Sequence, residues 1–121
     1  KGTVARGFFP EYSDGELTEE LAGNMLKSPI ENSDKHIARG EWVYRNYCQV
    51  CHGMTGLGDG PVTKRGVPPP PSLLLDKVKN MKDGQLYFII SNGKGNMASY
   101  RSQVQREDRW KVIQYLKTMG N

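Results

Sequence analysis

Three residues between positions 48 and 52 can do chemistry together, because the two cysteines of the chain are separated by two residues and a histidine follows the second. This spacing is the attachment pattern of c-type haem. The thiols of Cys48 and Cys51 can add to the two vinyl groups of the porphyrin, and His52 can then bind the iron as its proximal ligand. The sequence therefore predicts one covalently bound haem c with its iron at these three residues.

Other uses of the same residues fit the sequence less well. A disulfide between Cys48 and Cys51 would close a very short loop and would constrain little of the unfolded chain. A structural zinc site needs about four protein ligands. The only other histidine is His36, which lies about three helical turns before the motif and is therefore poorly placed to complete such a site. A thioredoxin-like redox pair is typical of a βαβ setting, and the sequence shows no such alternation of strands and helices.

A second axial ligand to the iron is expected from one of the five methionines. Met97 lies in the loop 93–100, far enough along the chain to reach the haem face opposite His52. Met81 is the alternative, because it precedes a predicted helix. Three methionines are less suited by their positions: Met25, Met54 and Met119. The predicted axial pair is therefore His52 and Met97.

Length and composition predict one domain. Only 36% of the 121 residues are hydrophobic, which is lean for a core of this size, and a buried haem would supply the missing apolar bulk. The formal net charge of +4 favours docking to acidic protein surfaces and says little for nucleic-acid binding. No apolar run is long enough to span a membrane.

Helical periodicity without alternating apolar residues predicts an all-α fold. Ser33 or Asp34 is expected to cap a helix at about 34–50 that leads into the haem motif. The glycine- and proline-rich stretch 53–71 is expected to turn tightly around the macrocycle. Further helices are predicted at residues 72–79, 83–91 and 106–119, and a weak pattern marks one more at residues 16–27.

The predicted domain organisation is an irregular N-terminal extension of residues 1–33 followed by a haem-binding domain of residues 34–121. The extension is polar and should lie across the surface of the domain. Its aromatic residues are expected to pack on this domain or, alternatively, to anchor a partner: Phe8, Phe9 and Tyr12.

The order of helix, haem motif, glycine-proline loop, short helices, methionine loop and aromatic helix resembles the class I monohaem cytochromes c over about residues 34–119. The segments that support the resemblance are Cys48-Gln49-Val50-Cys51-His52-Gly53, Gly56-Leu57-Gly58-Asp59-Gly60-Pro61, Gly93 to Tyr100 and Asp108-Arg109-Trp110. It implies an all-α class I cytochrome c fold with three to five helices around one covalent haem.

The same resemblance implies two contacts. The first and last helices of that family cross at a glycine and aromatic residues, and the matching positions are Gly40, Tyr44, Trp110 and Tyr115. The family's proximal histidine donates a hydrogen bond to a backbone carbonyl near a proline, and Pro61 matches that proline by position.

Several segments are also similar to the small monohaem cytochrome subunit of bacterial alternative complex III, which oxidises quinol. They are Phe8-Phe9-Pro10-Glu11-Tyr12, Gly58-Asp59-Gly60-Pro61, Met97-Ala98-Ser99-Tyr100 and Asp108-Arg109-Trp110. Similar loops occur in cytochrome domains of terminal oxidases.

These resemblances imply single-electron transfer in a respiratory chain, by a mobile carrier or by a subunit of a quinol-oxidising membrane complex. An axial pair of His52 and Met97 leaves the iron no open position for a substrate, so no enzymatic activity is expected. The alternative is a haem enzyme or a gas-binding protein with a displaceable distal ligand.

Partners and location follow from the same resemblances. Four basic residues are expected to frame an exposed haem edge and to steer an acidic redox partner: Lys64, Arg65, Lys94 and Arg101. Because c-type haem is attached outside the bacterial cytoplasm, the chain is expected in the periplasm or on the outer face of the cytoplasmic membrane, after loss of a leader or anchor.

Overall fold

The computed structural model describes residues 18–66, 68–70, 72–95 and 97–119, and these ranges contain helices and turns but no strand. The α-helices are α1 (Glu19–Met25), α2 (Asp34–Val43), α3 (Gln49–His52), α4 (Asp76–Lys79), α5 (Asp83–Asn92) and α6 (Arg106–Leu116). A π-helical turn (Tyr44–Cys48) joins α2 to α3, and a 3-10 helix (Pro61–Arg65) follows α3. The all-α prediction is confirmed. The aromatic residues Phe8, Phe9 and Tyr12 lie outside the described residues.

The helical segment that leads into the haem motif begins where the sequence predicts. Ser33 Oγ accepts a hydrogen bond from the backbone N–H of His36 at 3.1 Å, which satisfies one of the free amides of the first turn of α2. The segment is not one regular helix, since it widens into the π-turn Tyr44–Cys48 before α3. Such turns are frequent at functional sites, and this one ends at the first cysteine of the motif.

Helices α2 and α6 cross in close contact. A Cβ on Gly40 would collide with the backbone carbonyl oxygen of Lys111, so only glycine allows this approach. The rings of Tyr44 and Tyr115 meet beside it, with centroids 5.5 Å apart. The predicted crossing is therefore confirmed for these residues. Trp110 stacks on Tyr87 of α5, with ring centroids 4.2 Å apart, and its part in the crossing of α2 and α6 stays a prediction.

Helix α1 packs against α5 through a second close approach. A Cβ on Gly84 would collide with the carbonyl oxygen of Ala22. Ala22 and Leu26 are buried at 0% and 3% exposure and belong to the core. Residues 18–26 thus add apolar side chains to the core as well as covering its surface. The division of the chain at residue 33 stays a prediction.

Helices α5 and α6 make the largest contributions to the core, and the largest fully buried side chains are Trp110, Tyr44, Ile113, Val43 and Val112. Three predicted helices are shorter in the structure, namely those at residues 16–27, 72–79 and 106–119. Leu73 N–H donates to Gly56 O at 2.6 Å, so the chain before α4 holds the glycine loop. After α6, the bonds Thr118 N–H to Tyr115 O and Met119 N–H to Leu116 O form a turn.

In the described part of the chain, no helix has the length and apolar character that a membrane span requires.

Candidate haem site

The two cysteines of the motif lie on one helical turn. Cys48 ends the π-turn and Cys51 lies on α3, and both are half-buried free thiols. Burial, together with the smaller effect of the neighbouring Cys51, raises the pKa of Cys48 to about 12. A redox-active pair needs a thiol whose pKa is lowered. The surroundings of Cys48 therefore do not suit a thioredoxin-like exchange reaction.

The glycine loop holds the motif by backbone hydrogen bonds. Gly58 N–H donates to His52 O at 2.8 Å, and Gly60 N–H donates to Cys51 O at 3.0 Å. A Cβ on Gly60 would collide with the carbonyl oxygen of Val50, so the loop lies directly on the motif backbone. The loop turns as tightly as its glycines predict, and it fixes the C-terminal end of α3.

A buried side chain supports the motif from below. Tyr44 Oη donates a hydrogen bond to Gly53 O at 2.6 Å, and Tyr44 is fully buried. Burial raises the pKa of this phenol, which keeps it a donor at neutral pH. The residue that marks the crossing of α2 and α6 therefore also fixes the backbone immediately after His52.

His52 suits the role of a metal ligand. Burial lowers its pKa, which favours the neutral imidazole that can donate an electron pair to a metal. Its Nδ1 atom is buried and has no hydrogen-bond partner among the described residues. The expected hydrogen bond to a carbonyl near Pro61 is accordingly not formed, because this stretch meets the motif through the Gly60 N–H instead.

Met97 lies in a tight turn that follows α5. Lys94 and Met97 exchange two backbone hydrogen bonds of 3.0 and 2.9 Å, and the Met97 side chain packs against the core. Tyr100 N–H then donates to Ile90 O at 2.9 Å, which returns the chain to α5. Burial raises the pKa of Tyr100, and the thiols of Cys48 and Cys51 raise it further. The structure thus brings the methionine loop beside the haem motif.

The other methionines lie elsewhere. Met81 lines a cleft with Leu26 and Lys117, beside α1 and the end of α6. Met54 and Met25 are 73% and 54% exposed. Met119 is buried at 7% exposure and lies next to Gly56.

Arg109 is a buried cation to which the sequence analysis assigned no function. It is 4% exposed, and its guanidinium donates hydrogen bonds to Val104 O, Arg101 O, Ser91 Oγ and Tyr87 Oη. A charged residue in the first turns of an amphipathic helix is usually solvated. The one sequence signal for burial of Arg109 is its position next to Trp110, an aromatic residue expected to face the core.

The four basic residues predicted to steer a partner fall into two pairs. Lys94 forms an ion pair with Glu19 at 2.8 Å, and Arg101 donates to Asn92 Oδ1 and Ser91 O. Lys64 and Arg65 are exposed at the end of the 3-10 helix. The second pair is therefore the better placed to meet a partner.

Together these residues fit a covalently attached haem. Two free thiols lie on one turn, a neutral imidazole with a buried unpaired nitrogen follows them, and a loop with a methionine lies beside them. A c-type haem uses this donor set. Within the described ranges, no group of three or more His, Cys, Asp or Glu side chains could hold a metal ion by itself.

A family model described as cytochrome C oxidase, cbb3-type, subunit III matches residues 35–116, which is more than half of the chain. No curated protein is similar enough to the chain to count as a match.

Solved structures with a similar fold include cytochrome cL from the marine methylotrophic bacterium Methylophaga aminisulfidivorans, with a TM-score of 0.60, 19% identity, and coverage of 95% of this chain and 73% of that one. For cytochrome cL from Hyphomicrobium denitrificans the TM-score is 0.51 and the identity 26%, over 68% of this chain and 46% of that one. For the reducing HAO-like protein complex of Kuenenia stuttgartiensis the TM-score is 0.58 and the identity 22%, over 73% of this chain and 45% of that one.

The chain thus spans less than half the length of the last two proteins. Its similarity to the cytochromes cL confirms the predicted class I cytochrome c fold. The chain belongs to the cytochrome c family whose model is described as cytochrome C oxidase, cbb3-type, subunit III, and its cytochrome c domain binds covalent haem c with its iron and serves haem-based electron transfer.

Proposed function

We propose that the chain transfers single electrons on one haem that Cys48 and Cys51 bind covalently and that His52 and Met97 ligate. The observation that supports this most directly is that Met97, Tyr100 and Cys48 pack against the same core, with Tyr100 close enough to both cysteines for their thiols to raise its pKa. The loop with the candidate ligand therefore lies next to the attachment site. When bound, the haem supplies a couple between ferric and ferrous iron, and a thioether ligand raises its reduction potential relative to two histidines.

The residues of the chain contribute by fixing the positions of the groups that would bind the haem. Burial keeps the His52 imidazole neutral, while the hydrogen bonds of Gly58 and Gly60 fix the backbone of α3. The paired backbone hydrogen bonds of Lys94 and Met97 hold the backbone of the methionine against that of Lys94. If His52 and Met97 both held the iron, no position would remain for a substrate, which favours a carrier over an enzyme.

The respiratory setting is part of the same proposal. The family name refers to an oxidase subunit, and several segments resemble the cytochrome subunit of alternative complex III. Both comparisons support a place in a respiratory chain, in the periplasm or on the outer face of the bacterial cytoplasmic membrane. The chain acts there as a mobile carrier or as a subunit of a quinol-oxidising complex.

A redox partner with an acidic surface would meet the exposed pair Lys64 and Arg65. Reversing both charges should slow electron transfer to such a partner at low salt and should make the rate less dependent on salt, because steering acts on association. Reversal of both Lys27 and Lys35, two exposed lysines outside this stretch, serves as the control, because it changes the net charge by the same amount. Equal slowing by both variants in stopped-flow oxidation would mean that net charge alone governs the encounter.

The ligation is tested by Met97→Ala with Met81→Ala as the matched control. The ferric holoprotein should show the weak far-red band of methionine-ligated haem. Met97→Ala should abolish this band and lower the reduction potential, whereas Met81→Ala should leave both unchanged. A band that survives in Met97→Ala would contradict the assignment, and a band that disappears in Met81→Ala would transfer it to Met81.

The second candidate function is that of a haem enzyme or gas-binding protein in which Met97 is displaced. It is favoured by the similarity to part of a reducing HAO-like complex. Carbon monoxide added to the reduced wild-type protein separates the two, because a firmly bound Met97 blocks its binding and a displaceable one admits it.

A further inference from the structure

We infer that Arg109 is a positioning residue for Met97, because its guanidinium fastens the segment that follows the methionine loop (residues 93–100) to α5 and so keeps Met97 beside the haem motif. This role rests on the proposed ligation of the iron by Met97. It assigns a function in the site to a residue of α6 that lies twelve positions after the ligand in the sequence.

The guanidinium joins three parts of the fold. Its Nη2 donates to Arg101 O at 2.7 Å and its Nε donates to Val104 O at 2.9 Å. These two bonds hold the segment between the methionine loop and α6. Its Nη1 donates to Ser91 Oγ at 3.0 Å and to Tyr87 Oη at 3.3 Å, both on α5. A single side chain of α6 therefore ties the exit of the loop to the helix from which the loop departs.

The charge of Arg109 makes this tie sensitive to loop opening. The side chain is 4% exposed, and among the described residues its partners are neutral oxygens with no carboxylate. A buried cation without a counter-ion depends on its hydrogen bonds for stability. If this segment moved away, the guanidinium would lose its hydrogen bonds to the carbonyls of Arg101 and Val104, so opening carries the cost of two charge-assisted hydrogen bonds.

Ser91 is the point on α5 where several of these bonds meet. Its Oγ accepts from Arg109, and its backbone oxygen accepts from Ser99 Oγ at 2.5 Å and from Arg101 Nε at 3.4 Å. Ser99 and Arg101 are the second and fourth residues after Met97. The chain is thus held on both sides of Tyr100. Arg109, which lies on α6, connects this group of hydrogen bonds to a further helix.

Lysine cannot reproduce the arrangement. An ammonium is a point charge with three donors, whereas the planar guanidinium offers five donors in a rigid fork. Arg109→Lys therefore keeps the charge but loses the simultaneous bonds to Arg101, Val104 and Ser91. Arg39→Lys is the matched control, because Arg39 also spans two helices with a fork, donating to both carboxylate oxygens of Asp108 at 3.1 and 2.9 Å.

The experiment is an optical titration of the ferric holoproteins with imidazole, which competes with methionine for the iron. If the open loop becomes ten times more populated, the apparent affinity for imidazole rises about tenfold. We expect this rise and a weaker far-red band for Arg109→Lys, and neither for Arg39→Lys. Ser91→Ala, which removes one acceptor of the guanidinium, should raise the affinity by a smaller factor and is informative even if Arg109→Lys folds poorly.

Ile113→Val tests whether Arg109 acts only by stabilising the fold. This variant trims a buried core residue of α6 that is 1% exposed. Its imidazole affinity should stay at the wild-type value even though its unfolding midpoint falls. If Ile113→Val or Arg39→Lys raises the affinity as much as Arg109→Lys, the positioning role is wrong while Met97 remains the ligand. If the wild-type protein lacks a band that depends on Met97, the proposed ligation fails and the role of Arg109 falls with it.

Discussion

The fold contains two helix crossings in which a glycine lets two backbones touch, and they differ in how they reach the haem site. At the crossing of α2 and α6, Gly40 faces the carbonyl oxygen of Lys111. At the crossing of α1 and α5, Gly84 faces the carbonyl oxygen of Ala22. The first crossing lies within the segment 35–116 that matches the family, whereas α1 precedes that segment.

The connections from the crossings to the site are of different kinds. The α2–α6 crossing is joined to the motif by the buried hydrogen bond from Tyr44 to Gly53. The α1–α5 crossing reaches the methionine loop through the ion pair of Glu19 and Lys94, whose side chains are 27% and 53% exposed. Leaving a buried acceptor unsatisfied costs about 1–3 kcal/mol, while an exposed ion pair contributes about 0–1 kcal/mol. The comparison indicates that the family segment holds the site and that α1 adds an outer layer.

The largest effect is expected from Gly40→Ala, which should break the inner crossing. The added methyl group would collide with the Lys111 carbonyl oxygen, and this backbone atom cannot move unless α6 moves with it. Overpacking typically costs about 1–3 kcal/mol and can exceed the gain of about 1 kcal/mol in helix propensity. With a cost of about 3 kcal/mol and a gain of about 1 kcal/mol, we expect the free energy of unfolding of the holoprotein in urea to fall by about 2 kcal/mol. An unchanged value would show that the two helices do not touch at Gly40.

The next effect is expected from Tyr44→Phe, which breaks the link between the inner crossing and the motif. The ring volume is kept, but the buried Gly53 carbonyl loses its donor. We expect a loss of about 1.5 kcal/mol in the same urea experiment. Tyr115→Phe is the control, because the Tyr115 hydroxyl makes no hydrogen bond within the described ranges. Equal losses in both variants would mean that the hydroxyl of Tyr44 does not stabilise the motif.

A smaller and local effect is expected from Gly84→Ala at the outer crossing. Its methyl group would displace α1 from α5, at a cost of about 1 kcal/mol. Hydrogen exchange should become faster in residues 19–26 and stay unchanged in residues 34–52. In Gly23→Ala the new atom would meet only the Gln85 side chain, at 2.5 Å from its Cγ, and this chain can move aside. Faster exchange in both segments of Gly84→Ala would contradict the idea of an outer layer.

The smallest effect is expected from Glu19→Gln, which removes the ion pair with Lys94. Because the pair is partly exposed, the loss should stay below about 0.5 kcal/mol and should vanish at high salt. Glu20→Gln, on the exposed side of α1, is the control. A larger loss that persists at high salt would show that α1 holds the methionine loop more firmly than the contact indicates.

The haem motif was predictable from a local pattern, and the inner crossing was implied by the resemblance to the class I cytochromes c, whose matching residues stand in the sequence. The cap at Ser33, the spacing of Cys48 and Cys51 and the glycine at position 40 are all visible in the sequence. The π-turn Tyr44–Cys48 was not predicted, because no pattern of residue types there distinguishes it from the regular helix expected at residues 34–50.

The outer crossing and Arg109 were missed because they depend on distant partners. α1 buries small residues such as Ala22, which give a short helix little hydrophobic contrast. The partner of Lys94 is Glu19, which is 75 positions away in the sequence. Arg109 is buried by backbone carbonyls of the loop before α6, and such acceptors leave no signal in the residue types.

The central claim is that the iron has two firm protein ligands and exchanges single electrons. The most direct test is a reductive titration of the purified holoprotein, followed by addition of carbon monoxide to the reduced form. The account predicts uptake of one electron per chain, full recovery of the spectrum on reoxidation and no spectral change with carbon monoxide. Ready binding of carbon monoxide by the wild-type protein would contradict it, because the position assigned to Met97 would then be open.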